Sequence, residues 1–150
     1  MAELESNFAR FATVPKTGGA SFVNATGANT FGLSTNTQTI FTAGIKGAVV
    51  SSVFVLSNDT VALIAHLYIE DGGVLRPICA LTVPANSGTN GTVLPLDLLS
   101  AANASFLPIN NQGKRELHLP NSALLKVGFA AAVSATRTAW VTANGNDFVD

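Results

Sequence analysis

The stretch TVALIAHLYIEDGGVLRPICALTV, residues 60–83, decides the fold of this chain. Its first half alternates, and one face collects the apolar residues Val61, Leu63, Ala65, Leu67 and Ile69. A period of two predicts a β-strand. The residues Asp71-Gly72-Gly73 then form a strong hairpin signal, because glycine adopts the positive φ angles of tight two-residue turns. The stretch therefore predicts two antiparallel strands, residues 60–70 and 74–83.

The returning strand contains Pro77. Proline has no backbone N–H and cannot complete a hydrogen-bond ladder on both sides. Pro77 therefore predicts that the strand lies at a sheet edge or carries a bulge. One face of the strand is expected to carry Leu75, Pro77, Cys79, Leu81 and Val83.

Further strand patterns lie on both sides of the hairpin, separated by turns that are rich in Gly, Asn, Pro and Ser. The predicted strands are residues 37–42, 48–56, 92–96, 115–119, 124–133 and 137–143, with turns at 57–59, 110–113, 120–122 and 144–147. About eight short strands at this spacing are typical of a β-sandwich. The predicted fold class is all-β, an antiparallel β-sandwich of the jelly-roll or immunoglobulin-like type with an N-terminal arm or short helix.

The first 36 residues differ from the rest. Leu4, Phe8 and Phe11 recur at three- and four-residue spacing, which fits either a short amphipathic helix or an extended arm. We therefore divide the chain into an N-terminal arm and uncharged loop, residues 1–36, and a β-sandwich domain, residues 37–150.

Residues 17–36 carry no charge and are rich in turn-forming residues. They predict a long loop with a short strand near residues 20–24, and their large apolar side chains are Phe22, Phe31 and Leu33. Long loops without secondary structure often serve contacts.

Charge is scarce along the whole chain. Eight Lys and Arg against nine Asp and Glu make 11% of the residues, and the net charge is −1, whereas an ordinary domain has about 25% charged residues. Electrostatic nucleic-acid binding needs basic clusters that are absent here. Disorder is excluded by a hydrophobic content of 47%. No uncharged stretch is apolar enough for a membrane span, so we expect neither nucleic acid nor membrane as a partner.

Two of the predicted strands, residues 60–70 and 124–133, are apolar or small on both faces. A sheet with one solvated face alternates more sharply. A loop or arm, a neighbouring subunit, or a monomer with a surface of Ala and Thr would each explain the pattern.

Few residues suggest chemistry. His66 and His118 stand within strands and lack the further ligands of a metal site. Cys79, the one cysteine, lies in an apolar run and reads as a small buried side chain. Trp140 and Tyr68 suit either the core, an interface or a sugar-stacking platform. We predict no catalytic residue, cofactor or metal, and no enzyme activity.

Five segments together carry a resemblance to a known group of proteins. They are NATGANTF (24–31), LYIEDGG (67–73), LTVPANSG (81–88), LHLPNSALLKVG (117–128) and AWVTANGNDF (139–148). The chain resembles small β-sandwich structural proteins of tailed bacteriophages over about residues 24–148. The matching motifs are turn and strand patterns rather than catalytic signatures.

The resemblance implies a virion component, assembled in the host cytoplasm. The leading hypothesis is a capsid decoration, or cement, protein that binds the major capsid protein, copies of itself, or both, as a homo-oligomer. A tail, neck or baseplate component and a carbohydrate- or receptor-binding module are the alternatives. The candidate contact residues are Leu4, Phe8, Phe11, Phe22, Phe31 and Leu33.

Overall fold

The computed structural model describes residues 12–111 and 113–149, and this part of the chain folds into nine strands and one short 3-10 turn, Asn24–Thr26. The strands are β1 (Ala12–Val23), β2 (Gln38–Thr42), β3 (Ala48–Ser57), β4 (Leu63–Asp71), β5 (Val74–Val83), β6 (Leu96–Asp97), β7 (Leu117–Leu119), β8 (Leu124–Phe129) and β9 (Thr138–Val149).

The strands form two antiparallel sheets that pack face to face. Sheet A has the order β1-β9-β3-β6, with β7 also paired to β3, and sheet B has the order β2-β8-β4-β5. The predicted all-β sandwich is confirmed. The core lies between the sheets and is built by alternation: Val53 and Val55 of β3 and Leu67 of β4 point inward and are fully buried.

The hairpin of β4 and β5 forms as the sequence predicts. Gly72 and Gly73 both have positive φ, 58° and 81°, as a two-residue turn of this kind requires. Strand β5 is the outer strand of sheet B. It also carries a bulge, because Leu67 lies opposite Cys79 while Tyr68 lies opposite Pro77. Both expectations for a proline-containing strand are thus confirmed.

The bulge corrects one detail of the prediction. An extra residue in one strand moves the side chains beyond it to the other face. Leu75 and Pro77, which pair with Glu70 and Tyr68, therefore lie on the opposite face from Cys79. Ile78 packs partly against the core.

The two terminal strands are longer than predicted. The short strand expected near residues 20–24 is the end of β1, which pairs with β9 along its full length. The turn predicted at residues 144–147 is wrong, because β9 continues through it. These residues pair with β1 on one side and with β3 on the other, and pairing on both sides outweighs the turn preference of Asn and Gly.

Two connections also differ from the prediction. Residues 57–59 do turn, but they lead from β3 in sheet A to β4 in sheet B rather than closing a hairpin. The strand predicted at residues 92–96 shrinks to the two-residue β6, because the loop before it folds around Ser87, whose Oγ accepts from the N–H of Leu96. The predicted domain boundary falls directly before β2, and β1 on its N-terminal side is a strand of sheet A.

The edge strands β1 and β2 close one side of the sandwich. Lys16 Nζ donates to the carbonyl oxygen of Thr42 at 2.6 Å and to Asp147 Oδ2 at 2.8 Å. Gly18 brings the backbones together, since a Cβ there would lie 2.1 Å from the carbonyl oxygen of Ile40. This side of the sandwich is therefore held by backbone proximity and not by side-chain packing alone.

The substitution Gly18→Ala tests that close approach. The added Cβ has to push β1 away from β2, and overpacking of this kind costs about 2 kcal/mol. We expect the free energy of unfolding in a urea titration to fall by that amount. Ser21→Ala, on the outward face of the same strand, should leave it within about 0.5 kcal/mol of the original chain. Equal stability of the two variants would contradict the account.

Candidate functional site

A buried polar cluster joins the loop after β1 to the outer face of sheet B. Asn29 Oδ1 accepts a hydrogen bond from the Tyr68 hydroxyl at 2.6 Å and lies 2.8 Å from His66 Nδ1. The Asn29 Nδ2 group donates to the carbonyl oxygens of Leu33 and Thr35. Because an amide oxygen can only accept, the His66 contact requires a proton on Nδ1. We call Asn29, His66 and Tyr68 the loop latch.

The strand beneath the loop latch is shaped to receive it. The N–H of Asn29 donates to the carbonyl oxygen of Phe129 at 2.7 Å. A Cβ on Gly128 would lie 2.7 Å from the Asn29 side chain, so only glycine leaves room there. The Tyr68 hydroxyl accepts in turn from the N–H of Gly32. At this place, then, the chain's own loop covers the second apolar face of sheet B.

The candidate contact residues fall into three groups. Phe31 and Leu33 lie in the latched loop and are 48% and 55% exposed. The Phe31 ring stands edge-on to His66, with centroids 5.1 Å apart, so the loop latch orients it. Phe22 is 1% exposed and packs edge-on against Phe129, so it is a core residue. The remaining candidates, Leu4, Phe8 and Phe11, lie outside the described residues.

The outer face of sheet A differs from that of sheet B. Trp140 of β9 is 40% exposed and lies between Ser21 of β1 and Leu56 of β3. Around it the outward positions are uncharged: Thr17, Gly19, Val23, Ser52, Phe54, Thr138, Thr142 and Asn144. We call these residues, with Trp140, Ser21 and Leu56, the tryptophan face. Its composition suits a surface contact. At its margin Asp97 of β6 lies opposite Phe54 and lines a pocket with Ser52, Lys114 and Arg115.

Trp140 and Tyr68 do not form a common platform. Trp140 lies on the outside of sheet A, whereas Tyr68 belongs to sheet B and is fully buried beneath the latched loop. Tyr68 is a structural residue whose hydroxyl is already paired. Only Trp140 is available to a ligand.

Asp59 holds two crossover connections together at one end of the sandwich. Its carboxylate accepts from the N–H of Val61 and from both the N–H and the hydroxyl of Ser134. Burial opposes ionisation of Asp59, but these hydrogen bonds outweigh it and hold the pKa of the carboxyl below its usual range. The neighbouring Asn58 Oδ1 accepts from the N–H of Thr138. Every one of these bonds ties a turn to a turn or to a strand end, so the role is structural.

Cys79 and His118, the other side chains considered for chemistry, lie far apart on different sheets. Cys79 is half-buried in β5, and burial raises the pKa of its thiol, which makes it a poor nucleophile. His118 lies exposed on sheet A beside Glu116, 3.7 Å away. Within residues 12–111 and 113–149, no group of three His, Cys, Asp or Glu could hold a metal ion.

Sequence reasoning missed the loop latch. The face shared by His66 and Tyr68 is visible from strand alternation, and so is the small residue Gly128. The partner Asn29 comes from a distant loop, however, and no spacing rule places its side chain over them. The sequence feature that could have pointed to the loop latch is a histidine, His66, between the apolar residues Ala65 and Leu67 of a predicted strand.

No family model matches this chain, and no curated protein is significantly similar to it in sequence. In the part of the chain that the structure describes, there is no helix long and apolar enough to cross a membrane.

The loop latch should make stability depend on pH. Burial lowers the pKa of His66, so the unfolded chain takes up a proton on this residue before the folded one does. Stability is therefore expected to fall as the pH drops below the unfolded value of about 6.5, until the folded His66 titrates as well. Thermal unfolding between pH 7.5 and about 5 measures this fall.

Two variants test whether His66 causes this pH dependence of stability. His66→Gln removes the titrating group and should flatten the pH dependence. His118→Gln, on the outside of the other sheet, should retain it. A wild-type melting temperature that is constant over this range would refute the assignment.

Asp59→Ala should be strongly destabilising. The substitution leaves the N–H groups of Val61 and Ser134 without their acceptor, and an unpaired buried donor costs about 1–3 kcal/mol. We expect a loss of about 3 kcal/mol in urea unfolding at pH 7. Since the folded pKa is depressed, this stabilisation should disappear as the pH falls below about 4 and through the folded value. Asp71→Ala, in the exposed hairpin turn, is the control, and a similar loss there would argue against the account.

Proposed function

We propose that this chain is a structural protein of a virion, and most concretely a capsid decoration protein that binds and stabilises the shell of the major capsid protein. The observation that supports the proposal is the tryptophan face. A broad uncharged surface with an exposed tryptophan fits contact with another protein, because aromatic side chains are enriched and charges depleted at interface cores.

The outer faces of the two sheets differ in how far they are covered, and this difference indicates which surfaces can bind a neighbour. On sheet B the latched loop lies over β4 and β8 and presents Phe31 and Leu33 outward. On sheet A the positions around Trp140 remain open among the described residues. A two-sheet module of this kind can contact neighbours through both outer faces. Many weak contacts of this type add up when copies bind a repeating lattice.

The scarcity of charge supports the same proposal. Electrostatic steering raises association rates for single, soluble partners, and this chain has a net charge of −1 and only 11% charged residues to supply it. A subunit that meets its neighbours at high local density on a shell depends less on steering than on matched apolar area.

Exposed Trp140 also favours a second candidate, a glycan- or receptor-binding module on a tail. A sugar ring stacks on an exposed indole. With Tyr68 buried on the other sheet, such a site would depend on Trp140 and its polar neighbours Ser21 and Thr142. Retention on glycan columns that is lost in Trp140→Ala, with the fold retained, would support this candidate over shell binding.

Thr142→Lys tests the shell-binding proposal. It places a charge at the centre of the tryptophan face, opposite Phe54, where a bound neighbour would have to desolvate it. We expect binding to shells assembled from the major capsid protein of the same genome to weaken at least about tenfold, measured by co-sedimentation, for a cost of about 1.4 kcal/mol or more.

The matched control is Thr82→Lys, which adds the same charge at an exposed strand position of sheet B, opposite the uncharged Ile64. It should bind within about twofold of the wild-type chain. Equal weakening by both substitutions would mean that charge alone matters, and unchanged binding of Thr142→Lys would remove the tryptophan face from the interface. A folded wild-type chain that binds no shell would overturn the proposed function.

The arm prediction for Leu4, Phe8 and Phe11 has its own test. Deleting residues 1–11 leaves every described strand in place, whereas a longer deletion would remove Lys16 and its contacts with Thr42 and Asp147. Loss of shell binding by this truncated chain would support a contact role for the arm. Full occupancy of the shell would contradict it.

A further inference from the structure

Among the described residues, strand β5 leaves one side of sheet B open. It pairs with β4 on its inner side, and no hydrogen bond from another described residue reaches its outer side. The edge formed by β1 is different. There Gln38 Nε2 donates to the carbonyl oxygen of Ser21 at 2.8 Å, and Gly18 lies directly against the backbone of Ile40.

The register shows which backbone groups of β5 are free. Ala130 directly follows β8, and its N–H donates to the carbonyl oxygen of Ile64 in β4. The backbone N–H and C=O of Ile64 therefore point toward β8, and so do those of His66, two residues further along β4. Thr82 and Ala80 lie opposite these two residues. In an antiparallel ladder, residues opposite such positions direct their own N–H and C=O outward. The open edge therefore presents the groups of Ala80 and Thr82.

Only half of this edge is protected against pairing. Edge strands are commonly blocked by proline, charge or a bulge. In β5 all three lie at the N-terminal end: Arg76, Pro77 and the bulge at Ile78. Residues 79–83 carry no charge and no proline. A second strand can therefore pair with this half alone.

Within the part of the chain that the structure describes, the core is also incompletely covered on this side. The side chains that pack against it yet stay partly exposed include Ile78, Cys79, Leu81, Leu96 and Leu107. Sheet A ends here in two short strands, the two-residue β6 and the three-residue β7. The loop after β6 adds the buried Leu98, Leu99 and Ala104, but the side chains named above stay partly exposed. On the β1 and β2 side, by contrast, Phe22, Ile40 and Phe41 are at most 2% exposed.

We propose that the open edge of β5 pairs with the same edge of a second copy of this chain. The strands would run antiparallel about a two-fold axis close to Leu81, with Ala80 of each copy hydrogen-bonded to Thr82 of the other. This register uses all four outward backbone groups on each copy. The two sheets B become one continuous sheet, and the half-exposed Leu81 side chains meet across the axis on the core side.

A second copy fits this edge because the edge is complementary to itself. The outward N–H and C=O groups of Ala80 and Thr82 exchange places under the two-fold rotation, and no like charges are brought together. Antiparallel edge pairing joins sheets in many assemblies. The inference is independent of shell binding, since an isolated chain in solution should show it.

Ala80→Pro tests the pairing. The substitution removes an outward N–H that the ladder to β4 does not use, so the sandwich should remain folded. The weight-average mass of the wild-type chain, measured by sedimentation, should rise with concentration from one chain towards two. For Ala80→Pro the dissociation constant should rise at least about tenfold, because the symmetric pair loses the bond twice.

The control is Ala80→Thr, which keeps the N–H and a strand-forming side chain and should associate like the wild-type chain. A second measurement covers the case in which Ala80→Pro does not fold. Amide hydrogen exchange of the wild-type chain should slow at Ala80 and Thr82 as concentration rises, whereas the amide of Leu81, which points to β4, should be protected throughout.

Three results would overturn the proposal. The first is a wild-type chain that stays monomeric up to the highest soluble concentration. The second is association in which the amides of Ala80 and Thr82 remain unprotected. The third is association that Thr142→Lys abolishes and Ala80→Pro does not, because the tryptophan face would then be the contact between copies.

Discussion

The pairing of β9 on both sides is the constraint on which the rest of the sandwich depends. Along its length β9 is hydrogen-bonded to β1, and most of it also pairs with β3. This ladder fixes which residues of β9 face inward, namely Ala139, Val141 and Ala143. It also carries Asp147 to the position where that residue binds Lys16 and the N–H of Gly44. The closed side of the sandwich and the tryptophan face both follow from the register of this one strand.

Strand alternation and turn chemistry predicted the fold class and much of the hairpin. The period of residues 60–70, the Gly72-Gly73 turn and the edge position of the Pro77 strand all depend on local rules, and the structure agrees with them. The errors arose where long-range pairing overrules local preference. Residues 144–147 look like a turn because Asn and Gly favour turns, yet neighbours on both sides hold them in β9. The same limitation hid most of β1, because its Pro15, Gly18 and Gly19 have weak strand preference.

For the candidate sites, too, the sequence predicted the features that depend on local rules and missed those that depend on long-range contacts. Sequence alone predicted that Phe31 and Leu33 belong to a loop that can serve contacts, and it left Trp140 open between the core, an interface and a sugar-stacking platform. It did not predict the loop latch, because the contact of Asn29 with His66 and Tyr68 joins residues far apart in sequence through side-chain geometry. Nor did it separate Phe22 from the exposed aromatics, since one buried and one exposed phenylalanine look alike until the strand register is known. The function, by contrast, remains a proposal that begins from the resemblance and is supported by the surfaces described above.

Those surfaces make a consistent physical picture. The side of the sandwich at β1 and β2 is closed by hydrogen bonds, and sheet B is partly covered by its own loop. The tryptophan face and the β5 edge remain open among the described residues, one for a flat contact and one for strand pairing. The copy number of this chain in purified particles whose genome encodes it, determined by quantitative mass spectrometry, tests the central claim most directly. The account predicts a number that matches the capsomers of the shell. A number that matches a single ring at the neck or tail, or the absence of the chain from the particles, would contradict it.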